Sequence, residues 1–340
     1  MTKIGLVGLG YWGPNLARVL NQSRVCDFVA CCDLDAKKME QTVRQYPTVQ
    51  PMGNLDALLD SDVDAVVIAT PISTHYELAR KALEAGKHVM VEKPLAHESA
   101  LARDLVLLAE QKERELFTGH TFIYSPPVQK VKQLIDAGEL GDLHYISLSR
   151  VNLGLYQKDV DVVWDLAVHD ISILLYWLGE SPIRGASFGR ACVQRNKRDV
   201  AFLWLEFPSG VIVSNEVSWL SPQKMRRTCI VGSQKMVVYD DTSPDEKIRI
   251  YDKGVDWHQP QTFGEFQLSY RTGDMVAPYL DNSEPLLREV ECFVRCIEKG
   301  EKGMTSGDFG AKVVEALELL QASPLDVSEV TVATGEVTPR

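Results

Sequence analysis

Apolar residues in the first 120 positions fall into short unbroken runs, separated by longer stretches where they recur every three or four residues. The runs predict strands at 3–9, 27–32, 64–69, 88–91 and 116–119, and the periodic stretches predict helices at 14–22, 36–46, 55–59, 75–85 and 99–114. The strand at 64–69 is apolar on both faces, as expected where helices cover both sides of a parallel sheet. Pro14 suits the first turn of its helix, and Gly86 marks the end of another. Regular alternation of strand and helix predicts an α/β doubly wound parallel sheet, a Rossmann-type domain over residues 1–122.

The rhythm changes after Pro126-Pro127. A helix at 128–137 is followed by consecutive strands at 143–153, 185–194, 199–207, 211–220, 228–231, 235–239 and 247–251, with one helix at 164–178 between the first two. Helices at 284–298 and 306–321 close the pattern, so residues 123–340 predict an α+β domain with a large open, mostly antiparallel sheet. Phe202 and Trp204 point to one face of that sheet, and Leu203, Leu205 and Phe207 to the other. One helix cannot cover two apolar faces, so a second copy of the chain is expected against part of the sheet, as a homodimer or homotetramer.

Composition narrows the class. The 340 residues carry 36 Lys+Arg against 47 Asp+Glu, a net charge of −11, which argues against a protein whose task is to coat nucleic acid. Charged residues at 24% and hydrophobic ones at 45% fit an ordinary soluble globular chain. The longest apolar run, 173–178, is far below the ~20 residues that cross a membrane, and the first residues lack the features of a signal peptide. Seven cysteines without framework spacing read as reduced thiols, which places the protein in the cytoplasm. Cys292 and Cys296 share a helix face but have no second pair, so core packing is preferred over zinc, and no metal is expected.

Three clusters carry chemistry. Gly8-Leu9-Gly10-Tyr11-Trp12-Gly13 is a G-x-G-x-x-G between a strand and a helix: Gly8 for the tight turn, Gly10 for backbone approach to a pyrophosphate, Gly13 for close helix packing. Asp33, about 23 residues beyond Gly10 at the next strand end, suits both ribose hydroxyls and repels a 2′-phosphate, so NAD is favoured over NADP. Two further strand ends, at Thr70-Pro71 with His75 beyond and at Glu92-Lys93-Pro94, complete the cofactor-facing set. Lys93 is expected to project toward the nicotinamide; the alternative is a solvated loop lysine. Asp165 and His169, four apart on one helix, form a pair in which the carboxylate orients an imidazole able to exchange a proton. The alternative is a core histidine, or an Asp–His pair bridging two elements.

Taken together, these residues resemble the glucose–fructose oxidoreductase/inositol dehydrogenase (Gfo/Idh/MocA) family. The likeness extends from the glycine motif through Glu92-Lys93-Pro94 and Asp165…His169 to Ser306-Gly307-Asp308. It implies NAD-dependent hydride transfer at a sugar carbon, with Lys93 and His169 as the acid/base pair, Asp165 in support, and oligomers formed through the open sheet. Family members often carry an acid three residues after the histidine; here that position is Ser172, and Asp170 follows His169 directly. The segments 120–126 and 150–156 resemble the branch acting on nucleotide-linked sugars as 3-dehydrogenases or 3-ketosugar reductases. They point to His120, Tyr124, Arg150, Asn152 and Tyr156 as substrate contacts. An inositol or free-sugar dehydrogenase, and a non-catalytic sugar sensor, stand as alternatives. Basic clusters at 195–198 and 224–227 would favour a diphosphate if either faced the crevice.

Overall fold

The computed structural model describes residues 1–157, 159–257 and 268–322. Its first part runs β1 (Thr2–Val7), α1 (Gly13–Gln22), β2 (Cys26–Cys32), α2 (Ala36–Gln45), β3 (Gln50–Pro51), α3 (Leu55–Leu59), β4 (Ala65–Ile68), α4 (Ile72–Glu84), β5 (His88–Glu92), α5 (Ser99–Gln111) and β6 (Leu116–Gly119). The six strands pair in parallel in the order β3-β2-β1-β4-β5-β6, with the crevice at the C-terminal ends of β1 and β4. Alternate residues of β4 serve opposite cores: Ala65 and Val67 pack with α1, while Val66 and Ile68 pack with α3, α4 and α5.

The second part contains α6 (Pro126–Asp136), β7 (Leu143–Leu153), α7 (Val168–Leu178), β8 (Arg184–Arg190), β9 (Val200–Glu206), β10 (Ile212–Ser218), β11 (Leu220–Gly232), β12 (Met236–Asp240), β13 (Ile248–Trp257), β14 (Leu268–Val276), α8 (Pro285–Lys299) and α9 (Gly307–Ala322). Its sheet has the order β14-β13-β12-β11-β7-β10-β9-β8, antiparallel except for the β7–β10 pair. Leu203, Leu205, Val213, Val217 and Ile230 are buried on the face under α7 and α9. The opposite face leaves Tyr145, Phe188, Phe202 and Ile212 exposed.

Three differences from the sequence expectations matter. The strand expected at 211–220 is β10, the one expected at 228–231 is the end of a much longer β11, and β3 and β14 were not expected. The expected helix at 164–178 is divided into a π-helical turn at Val163–Ala167 and α7. Finally, α8 returns to the first sheet: Leu286, Val290 and Phe293 share the core of β1 and α1. A cut at 122/123 therefore divides the chain more cleanly than it divides the packing.

Candidate active site

The glycine loop has the shape its spacing implies. Gly8 has φ +96°, and a Cβ there would lie 2.5 Å from the Ala69 carbonyl oxygen; a Cβ on Gly13 would lie 2.4 Å from that of Gly8. A Cβ on Gly10 would meet nothing within 4 Å, so the chain is open to a ligand where a pyrophosphate is expected to approach. The N-terminus of α1 has no side-chain cap, which leaves N–H donors directed at that space. Asp33 braces the loop: its carboxylate accepts from the Leu9 N–H at 2.6 Å and the Asp35 N–H at 2.8 Å. Each oxygen keeps a further lone pair for a ribose hydroxyl. Tyr11 is exposed at the rim, and Trp12 is part-exposed beside it. These residues fit a dinucleotide.

The ends of β4 and β5 form the crevice floor. Thr70 Oγ1 accepts from the Thr74 hydroxyl at 2.7 Å, and Pro71 caps α4. His75, expected at the cofactor, is fully buried in α4. Its ring nitrogens lie 2.8 Å from the Pro94 and Thr70 carbonyl oxygens, and burial pulls its pKa down, so it ties the two strand ends together from beneath. The Lys93–Pro94 peptide is cis. Burial raises the Glu92 carboxyl to about 7 despite the adjacent Lys93.

Lys93 is 22% exposed and reaches across to the second part of the chain. Its ammonium donates to the Asp165 carbonyl at 3.1 Å and lies 3.6 Å from Asp165 Oδ1. Burial lowers the Lys93 pKa, while Asp165 and Glu92 act to raise it. The other Asp165 oxygen, Oδ2, accepts from the Trp219 indole N–H at 3.0 Å. Asp165 was expected to orient His169. The i, i+4 spacing gives the two a common side, but the groups that meet the Asp165 carboxylate are the Lys93 ammonium and the Trp219 indole.

His169 stands edge-on to Phe122, with ring centroids 5.0 Å apart. Among the described residues neither of its ring nitrogens has a protein hydrogen-bond partner. Burial, then Lys93, Arg150, His120 and Arg226, hold its pKa well below the ordinary value, so the resting ring is neutral. Asp170 serves Arg150 instead: it accepts from Arg150 Nε at 2.7 Å and from Asn215 Nδ2 at 3.0 Å.

The expected substrate contacts separate into three groups. Arg150 is 5% exposed and lies over the Phe122 ring at 4.9 Å; Arg226, from the 224–227 cluster, lies over the same ring at 5.4 Å. Asn152 and Tyr156 follow on and after β7, half-buried near Trp219, with the Tyr156 and Trp219 rings 5.0 Å apart. His120 and Tyr124 fall in the core. His120 packs on Phe309 with both ring nitrogens unpartnered, and Tyr124 hydrogen-bonds Thr305 at 2.9 Å beneath α8. The short 3-10 turn Thr121–Tyr124 sends Tyr124 inward and Phe122 toward His169. Sequence reasoning missed Phe122 and Trp219. An isolated aromatic after a strand carries no chemical signature, although both lie within or beside segments it singled out.

Among the described residues no group of three or more His, Cys, Asp or Glu is placed to hold a metal ion, and no helix is long and apolar enough to cross a membrane. A glycine loop open to a dinucleotide, facing a lysine, a carboxylate and a neutral histidine, defines an NAD-dependent oxidoreductase. Residues 2–120 match the model of the oxidoreductase family with an NAD-binding Rossmann fold, and residues 128–238 match that of the GFO/IDH/MocA C-terminal domain. The chain belongs to the GFO/IDH/MocA oxidoreductase family.

Individual relatives differ in what they act on. The UDP-N-acetylglucosamine 3-dehydrogenase of Acidithiobacillus ferrooxidans is 28% identical over 259 residues, covering 74% of this chain and 78% of its own length. Inositol 2-dehydrogenase of Rhizobium meliloti is 23% identical over 339 residues, covering 96% and 97%. A solved structure of the Acidithiobacillus enzyme superposes with a TM-score of 0.79 at 25% identity, over 95% of this chain and 97% of that one. GenD2 from gentamicin A biosynthesis, solved in complex with NAD, superposes at 0.80 with 22% identity over 95% and 93%, which shows the shared fold.

Proposed function

We propose that the protein transfers hydride between NAD and a carbon of a nucleotide-linked sugar, as a 3-dehydrogenase or 3-ketosugar reductase, with Lys93 and His169 as its acid/base pair. The observation that carries this is the placement of Lys93. Its ammonium leaves the strand end beside the cofactor crevice and is held by Asp165, with neutral His169 among the groups facing it. NAD, when bound, supplies the hydride acceptor. Lys93 donates a hydrogen bond to the substrate oxygen, and His169 takes the hydroxyl proton; in the reverse direction the proton returns by the same route.

An anionic substrate is supported by Arg226, the open question of the 224–227 cluster. Arg226, Arg150 and Lys247 meet Asp170 and Asp241 on this wall, three cations against two carboxylates. The Phe122 ring, which both guanidinium groups approach, is a flat apolar surface next to His169. The relative that is a UDP-N-acetylglucosamine 3-dehydrogenase supports the same reading, whereas the inositol dehydrogenases support a neutral polyol. A homo-oligomer formed through the exposed face at Phe188, Phe202 and Ile212, in the cytoplasm, belongs to the same proposal. Thermal-shift screening of nucleotide sugars with NADH present tests it: a ligand at 100 times its Kd adds about 2.7 kcal/mol of stability. Stabilisation by inositols alone would contradict the nucleotide-sugar assignment.

A further inference from the structure

We propose that Trp219 is a positioning residue of the active site, whose indole N–H fixes the Asp165 carboxylate so that its other oxygen faces the Lys93 ammonium. The inference rests on the role given to Lys93 above, and it adds a residue that no motif identifies.

The two Asp165 oxygens are divided between two partners. Oδ2 accepts from Trp219 Nε1 at 3.0 Å, and Oδ1 lies 3.6 Å from Lys93 Nζ. Contacts on both oxygens fix the plane of a carboxylate, which one contact does not. The donor's chemistry matters as well. An indole N–H satisfies a buried lone pair without a second positive charge, so the field of Asp165 stays directed at Lys93. A carboxylate oxygen left unpaired at this depth would carry a desolvation penalty and turn toward solvent.

Trp219 is itself held on every side. It is 1% exposed, its backbone N–H donates to the Asp199 carbonyl at 2.9 Å, and its backbone carbonyl accepts from the Gly154 N–H at 3.0 Å. Tyr156 packs on its ring and directs its hydroxyl to Asp199 Oδ2 at 3.4 Å; the Asp199 carboxylate is anchored by the Cys192 and Val193 N–H groups. A Cβ on Gly154 would stand 2.6 Å from Trp219 Cδ1, so the loop after β7 needs glycine there to admit the indole. The charged and titratable groups facing Lys93 are Glu92 on its own strand, Asp165 from the π-helical turn, Arg150 from β7, His169 from α7, His120 after β6 and His75 in α4. Of the two that favour its charged form, Asp165 has the larger effect, and Trp219 orients it.

The test uses the full chain with Trp219→Phe, which keeps a ring and removes the N–H, and Gly154→Ala, which displaces the indole and keeps the N–H. Lys93 is titrated by brief acetylation with acetic anhydride at stepped pH, followed by mass spectrometry of the Lys93 peptide, a readout that needs no sugar. Turnover is followed over the same pH range. Both variants are expected to bind NAD within about twofold of the parent, to lose about tenfold in kcat with little change in KM, and to reach half-labelling of Lys93 at lower pH. If Trp219→Phe does not fold, Gly154→Ala carries the test. An unchanged or raised half-labelling pH, with only the melting temperature lowered, would overturn the proposal and leave Trp219 a packing residue. Absence of turnover in the parent would count against the sugar assignment alone, because the labelling arm still reads Trp219.

Discussion

Lys93 and Asp165 are 72 residues apart in sequence, yet the ammonium of one meets both the carbonyl and the carboxylate of the other. The contact joins the cofactor-facing sheet to the π-helical turn that precedes His169. Replacing Lys93 by Met removes the charge and the proton donor while roughly keeping the chain's length. A positioned acid/base group typically contributes 10²–10⁴-fold, so Lys93→Met is expected to lose activity by about that factor while calorimetry shows NAD binding retained. Turnover within about threefold of the parent would remove Lys93 from the chemistry.

Asp33 holds the Leu9 N–H and faces the expected ribose site, so its replacement acts on the loop and on the ligand together. Asp33→Ser is expected to weaken NAD by about tenfold or more and to raise the affinity for NADP relative to NAD, since the carboxylate no longer opposes a 2′-phosphate. Calorimetric titration of both cofactors reads this directly. An unchanged NAD/NADP ratio would contradict the assignment.

His120 is buried without a ring partner, and burial takes its pKa to about 3. A histidine whose folded value lies below its unfolded one stabilises the fold above the unfolded pKa, and that stability is lost as pH falls through the window down to the folded value. Between pH 6.5 and 4.5 this linkage is on the order of 2 kcal/mol. Glu92, raised to about 7, has the opposite sign in the same window, so the useful quantity is a difference. The parent is expected to lose more melting temperature than His120→Asn between these pH values. Parallel curves would place His120 in contact with solvent.

Phe202 is 51% exposed, lies across the strands from Phe188 and Glu216, and stands on the face of the sheet that α7 and α9 leave open. Phe202→Lys can pair with Glu216, which keeps the sheet intact while opposing apolar docking. Sedimentation at micromolar concentration is expected to show a dimer or larger for the parent and a monomer for the variant. A monomeric parent would leave the face without its proposed partner.

The glycine loop, the parallel sheet and most helix positions were legible because each rests on local patterning: a 3.6-residue or two-residue rhythm, and glycines where a Cβ would clash. What was not legible depends on distant pairing. Strand β10 lies parallel to β7 in a sheet otherwise antiparallel, and no local signal chooses that neighbour. Strand β14 was missed because all but one of its residues are exposed, so it has no apolar side to read. Spacing alone paired Asp165 with His169 and left Lys93 open between crevice and solvent; the contact of Lys93 with Asp165 joins two distant segments, and a shared helix side does not rank a cation against an imidazole. His75 and Tyr124 stand beside the crevice in sequence and beneath it in space.

The central claim is that a Lys93-dependent site oxidises or reduces a nucleotide-linked sugar with NAD. The most direct measurement is formation or consumption of NADH with a panel of UDP-linked and free sugars, run in parallel with the parent and Lys93→Met, with and without competing UDP. The account predicts turnover with a nucleotide sugar, inhibition by UDP, and loss of about 10²-fold or more on Lys93→Met. Turnover of inositol or a free sugar that ignores UDP, or activity that survives Lys93→Met, would contradict it.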